Sequence, residues 1–202
     1  MGCHIIDHPV WALELGPPTA VEARATLDGS VLDGNKPNFE TYPIAGIIYY
    51  DFPERGKQPA VRMTWYDGGL MPAAPVGMPA SQRLPDNGVL YVGSKGLMYH
   101  SSHGGTPQLL PGSLYEAAKK VPKTMERSPG QYEEWVAACK GGSRPMSNFD
   151  SAGPLTEIVL LGVLALRSPG RRLEWDSTNQ QVKNAPELNQ FVRPDYRKGW
   201  SL

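Results

Sequence analysis

Strand-like runs follow one another between residues 20 and 110 with no helical stretch between them, and this succession constrains the fold more than any other feature of the chain. Parallel neighbours need long crossover connections, usually helices, so strands that follow directly on one another pair mainly antiparallel. The first run, residues 20–26, alternates Val21, Ala23 and Ala25 against Glu22, Arg24 and Thr26, the period-two pattern of a half-buried strand. Residues 44–52 are β-branched and aromatic. Residues 60–66 alternate again, with Val61, Met63 and Trp65 against Arg62, Thr64 and Tyr66, and Asp67-Gly68-Gly69 ends them. Residues 88–92 and 96–99 are short strands joined by Gly93-Ser94-Lys95, a hairpin signal, and residues 108–110 add a third short pairing.

Helical periodicity lies outside this block. Residues 5–15 carry apolar side chains at helical spacing and are closed by Gly16-Pro17-Pro18, so they read as a helix whose start precedes residue 1. Ser128-Pro129-Gly130-Gln131 combines a cap residue, a proline and a capping glutamine; the helix it opens runs through Tyr132, Trp135, Val136 and Cys139 to Gly141-Gly142. Another begins near residues 150–154 and runs to about Arg167. It is apolar on nearly all sides over residues 158–166 and is expected to be covered all round. Residues 172–176 form a last strand. The polar tail from residue 177 to 202 has Phe191 and Trp200 as its expected anchors, residues 28–38 read as a turn-rich loop, and the four prolines within residues 70–87 mark a long surface excursion.

The expected fold is therefore α+β, an open, mostly antiparallel sheet with helices packed on one face. At 202 residues the chain reads as a single domain, 1–202, large enough for a sizeable core. Ile44, Ile47, Ile48, Tyr49 and Tyr50 are too apolar for a wet sheet face, which predicts a homo-oligomer formed through that face.

Charge narrows the function classes. Twenty basic residues balance twenty acidic ones, which leaves no electrostatic footprint for nucleic acid or an anionic membrane. The longest strongly apolar stretch, residues 158–166, is too short to span a bilayer, and no export signal precedes Gly2. A cytoplasmic location is the default expectation. Cys3 and Cys139 form neither a disulfide framework nor a zinc pattern, and both read as reduced and structural.

The densest chemistry is at the start: His4, Asp7 and His8 stand at i, i+3 and i+4 and share one helical face. Histidines four apart can chelate a metal, yet no glutamate lies between them and no third ligand follows, so no metal is expected. A polar first turn, satisfied by its own side chains, is the plainer reading; proton transfer is the third. His100 and His103, in a glycine-rich loop, read as solvent-exposed. Trp65, Tyr66 and Tyr99 could line a sugar face but fit a core or interface better, and Glu157 reads as serving its helix dipole. Neither GxGxxG nor GxxxxGK[ST] occurs, and Gly93-Ser94-Lys95-Gly96 joins two strands, so it lacks the helix N-terminus that holds a phosphate.

Several segments together resemble the C-terminal domain of the Gfo/Idh/MocA family of NAD(P)-dependent oxidoreductases, in its bacterial branch of sugar dehydrogenases. They are Gly2-Cys3-His4-Ile5-Ile6-Asp7 with Trp11-Ala12-Leu13; Trp65-Tyr66-Asp67-Gly68-Gly69; Tyr91-Val92-Gly93-Ser94-Lys95-Gly96; residues 132–142; and Pro154-Leu155-Thr156-Glu157 through Leu173-Glu174-Trp175-Asp176. Their order and spacing carry the resemblance, which covers nearly the whole chain. It implies an open antiparallel sheet whose free face mediates oligomer contacts. It also implies a carbohydrate or polyol substrate. In the family an N-terminal Rossmann domain binds the nicotinamide and supplies a lysine from a Glu-Lys-Pro motif, while the C-terminal domain supplies an Asp-x-x-x-His pair. His4 matches that histidine and is the catalytic residue the resemblance implies; Asp7 and His8 would lie close by as substrate contacts. The aspartate would fall immediately before Met1, and the Rossmann domain and its lysine are not in this sequence. An engineered fragment, a truncated reading frame and a stand-alone domain are all compatible with that. This chain is thus expected to bind no cofactor itself and to be inactive alone, NAD(P) being implied for an intact relative. Two alternatives stand beside this reading: the family's NAD-dependent glycosidase branch, and a non-catalytic scaffold domain.

Overall fold

The computed structural model describes residues 1–26, 41–193 and 195–200; the turn-rich loop expected over 28–38 lies outside them. The fold is α+β with two open sheets, and every described strand pairing is antiparallel. The chain divides into two compact units, Met1–Glu14 with Ala73–Thr156, and Leu15–Pro72 with Glu157–Leu202.

The second unit holds the five-stranded sheet. Strands β1 (Ala20–Ala25), β2 (Gly46–Phe52) and β3 (Val61–Asp67) are the first three strand-like runs of the sequence, and the order is β3-β2-β1 followed by the later strands β7 (Arg172–Asp176) and β8 (Gln181–Val182). Register decides which side chains share a face. Val21 opposes Tyr50 and Leu173, and Ala23 opposes Ile48. All five are buried, as period-two alternation requires. Against this face lies the C-terminal half of a long helix, Phe149–Ala165, in which Ile158, Leu161, Leu164 and Ala165 are buried. Gly162 permits the approach: a Cβ there would collide with the Tyr50 hydroxyl and press on Ile48. The run from Ile47 to Tyr50 is therefore split. Ile48 and Tyr50 go under the helix, while Ile47 and Tyr49 share the opposite face with Glu22, Arg24, Asp51 and Arg62. The helix itself is not covered all round: Leu160 is 56% exposed.

The tail is held by residues other than those expected. Val182, Ala185 and Leu188 are buried, whereas Phe191 and Trp200 stand exposed. The short Val182 and Leu188 side chains sit where β8 and the following 3-10 helix (Pro186–Phe191) meet, and Asn189 clamps both backbone groups of Val182. Glu157 does more than serve a helix dipole: its Oε1 accepts hydrogen bonds from Trp175 Nε1 (2.7 Å) and Ser177 Oγ (2.6 Å).

The first unit holds helix α1 (Gly2–Ala12), the three-stranded sheet β4 (Gly88–Gly93), β5 (Gly96–Ser101) and β6 (Gln108–Leu110), and helices α2 (Gly112–Ala118) and α3 (Gln131–Cys139); the long helix, α4, begins here. Gly96, at φ +151°, turns the hairpin where a side chain would strike the Leu110 carbonyl. Helix α2 was not legible: its stretch opens on Pro111 and Gly112, two residues that disfavour a helix interior. Neither α2 nor α3 buries a residue, and Tyr132, Trp135 and Val136 of α3 are exposed. Both cysteines are free and exposed, so neither packs a core. Among the described residues no helix is long and apolar enough to cross a membrane.

Candidate functional site

The site is built from two pieces of the first unit. Helix α1 buries Ile5, Ile6 and Pro9, which seats it against the sheet strand β4. It ends earlier than Gly16-Pro17-Pro18 would close it: Leu13 caps it, and Glu14 takes the left-handed conformation (φ +51°) that a glycine usually fills. His4 and His8 stand one turn apart on this helix. Asp7, between them, is exposed.

The hairpin provides the other half. Val89 pairs with His100 and Tyr91 with Met98, so His100 and Tyr91 project from one face of β4–β5, while Leu97 and Tyr99 are buried on the other. Beyond β5 the backbone is pinned twice: Ser102 N–H donates to the Asn87 carbonyl (3.1 Å) and Gly104 N–H to the Ser101 carbonyl (3.3 Å). That tight turn fixes His103.

All four histidines of the chain converge here. The His4 and His103 rings are 5.5 Å apart between centroids, tilted at 42°, and those of His8 and His100 are 4.9 Å apart, edge to face at 68°. The Tyr91 ring lies 5.9 Å from that of His100, and its hydroxyl is pushed up to about 12 by burial. The pair His100–His103, which the sequence presents only as loop histidines, is thus half of the cluster. Nothing local in the chain links these positions to His4 and His8; the hairpin and its turn create the juxtaposition.

Hydrogen bonds orient the rings. His100 Nδ1 lies 2.9 Å from the Ser101 carbonyl, and a carbonyl only accepts, so Nδ1 carries the hydrogen and Nε2 keeps its lone pair in the neutral ring. His103 Nδ1 lies 2.9 Å from the hydroxyl of Ser102, a buried serine. His8 Nδ1 is buried without a hydrogen-bond partner. Burial of His8, then the facing His100 imidazole, hold it below the usual histidine range; Asp7 opposes them and His103 adds to them.

One kind of chemistry follows from this geometry. Imidazole rings, two of them exposed, can accept a proton from a hydroxyl. They do not form a metal cage: among the described residues no group of three His, Cys, Asp or Glu side chains is arranged to hold an ion. The Gly93–Gly96 turn joins antiparallel strands, and the strand-to-helix junction between β6 and α2 carries Pro111 and a single glycine where a phosphate-binding turn needs several. No family model, no curated protein and no solved structure matches this chain.

Proposed function

We propose that the chain is the substrate-binding and oligomerisation portion of an NAD(P)-dependent sugar or polyol oxidoreductase, acting in the cytoplasm. The observation that supports this reading best is the convergence of His4 and His103 across α1 and the hairpin turn. His4 is the proton acceptor for the hydroxyl being oxidised, and exposed Asp7 binds a neighbouring hydroxyl. His8 has its Nδ1 enclosed, so a ligand must use the other edge of its ring. No residue described here would hold the nicotinamide; in an intact relative it belongs to another domain, and only proton transfer and hydroxyl binding fall to this chain. Association runs through the open sheet face, whose apolar patch is Ile47, Tyr49 and Tyr66.

The test begins with the chain itself. Titrated with a panel of sugars and polyols, its His4 and His103 ring resonances shift saturably with at least one compound, and His4→Ala abolishes the shift. No saturable response across the panel removes the substrate assignment. In an intact relative carrying the matching residues, replacing the histidine equivalent to His4 by alanine lowers turnover by about 10²–10⁴-fold with little change in cofactor affinity.

A further inference from the structure

We infer that the contact between α1 and the β4–β5 hairpin is an acid-sensitive latch: protonation of the histidine cluster releases α1 and takes the site apart. The inference does not depend on the ligand or the reaction.

The geometry of His8 carries it. An imidazolium donates from both ring nitrogens, so charging His8 places an N–H on Nδ1, which is buried with no acceptor. The neutral ring leaves only an unpaired lone pair there. The partner ring adds to the penalty. His100 already commits Nδ1–H to the Ser101 carbonyl, so it charges at Nε2, and two imidazoliums with centroids 4.9 Å apart repel. A second pair, His4 and His103, repeats the problem at 5.5 Å.

Little nearby offsets this charge. Asp7 is the one carboxylate on α1, and it is exposed. Strand β4 presents Tyr91 as its titratable group, and the raised phenol stays neutral. Strand β5 offers His100, with Tyr99 on the opposite face, and the following turn offers His103. One exposed carboxylate therefore stands against four imidazoles. Because the folded contact holds His8 below its free value of 6.5, the contact is fully formed above that pH and weakens as pH falls through the lowered value.

Residue-resolved amide exchange, corrected for intrinsic rates, tests the latch. From about pH 7.5 to about pH 5.5 the amides of α1 lose on the order of tenfold in protection, while those of β1 and β2 keep theirs. His8→Phe keeps a ring in place but takes no proton; with it, and with His100→Phe, the α1 loss shrinks. Equal loss in α1 and β1–β2 would show a general acid effect and overturn the latch, as would an α1 loss unchanged in both variants. Should the variants not fold, the ring Cε1–H resonances of the unaltered chain decide. A His8 midpoint below 6.5, coincident with the α1 loss, supports the latch, and a His8 midpoint at or above 6.5 refutes it.

Discussion

The two units solve opposite problems. The unit built on β3-β2-β1-β7-β8 buries Val21, Ala23, Tyr50, Phe52, Ile158 and Leu173 almost completely, and its polar groups bond where they are needed to position strands. The unit built on β4-β5-β6 has two helices without a buried residue and exposes Tyr132 and Trp135, yet it gathers every histidine in the chain. Burial stabilises the first kind of structure, whereas the second leaves His4 and His103 of its histidine cluster open to solvent. The well-packed core and the histidine cluster thus lie on different stretches of the chain.

The sharpest way to break that comparison is to truncate one apolar side chain in each unit. Leu173 is completely buried in β7, paired with Val21 of β1, so Leu173→Ala costs about 2–5 kcal/mol. Trp135 is 65% exposed, so Trp135→Ala changes stability by no more than about 0.5 kcal/mol. Urea denaturation measures both. A Trp135→Ala cost approaching that of Leu173→Ala would mean that α3 is covered in solution and that the contrast is false.

Gly162→Ala probes how closely the long helix is pressed to its sheet. Helix propensity alone favours alanine by about 1 kcal/mol. Against that, the new methyl group meets the hydroxyl of Tyr50, whose ring is 1% exposed and cannot swing away. Overpacking wins, for a net loss of about 1–3 kcal/mol. The double variant with Tyr50→Phe recovers part of it, because the colliding atom is gone. A stabilised single variant would show that the helix stands further from the sheet.

Much of the fold was legible because its signals are local. Residues 20–26 and 60–66 announced strands through period-two alternation, residues 44–52 through their β-branched and aromatic composition, and Gly93-Ser94-Lys95 placed a hairpin where β4 meets β5. What remained hidden was set by tertiary contact. Residues 158–166 have an all-round apolar composition, but only the faces toward the sheet are buried, so Leu160 stays out. Phe191 and Trp200 are the largest apolar side chains of the tail, yet the smaller Val182, Ala185 and Leu188 fit beneath it. The site was half legible. Helical spacing grouped His4, Asp7 and His8, whereas His100 and His103 join them only through hairpin register and the turn that Ser102 and Gly104 close.

Glu157 offers a smaller, sharper test within the well-packed unit. One carboxylate oxygen receives both Trp175 and Ser177, and Trp175 is itself buried. Glu157→Ala leaves the indole N–H without its acceptor and costs about 1–3 kcal/mol. Ser177→Ala, which removes only one of the two donors, costs less, about 0.5–1.5 kcal/mol. If the two variants were equally harmful, the serine rather than the indole would be the bond that matters.

The smallest expected effect separates the units by the acidity at which each gives way. In the five-stranded unit Asp51 bridges Arg62 and Arg172, both at 2.8 Å. The Arg62 hydrogen bond, above all, holds the carboxyl below its ordinary value of 3.8, with burial opposing and the charges of Arg62 and Arg172 adding to it. A depressed carboxyl stabilises the fold above its free value, and that contribution disappears as pH falls through the lowered one. Its size is about 0.5–1 kcal/mol, since the guanidiniums are largely exposed and salt screens them. The histidine unit works in the other window, losing stability as pH falls below 6.5, where Asp51 is still fully charged. Asp51→Asn should therefore lower stability near neutral pH and leave it unchanged at strongly acid pH, without moving the α1 exchange transition. Amide exchange read separately in α1 and in β1–β2 across the acid range checks this. A single common curve for both regions would abolish the distinction between them.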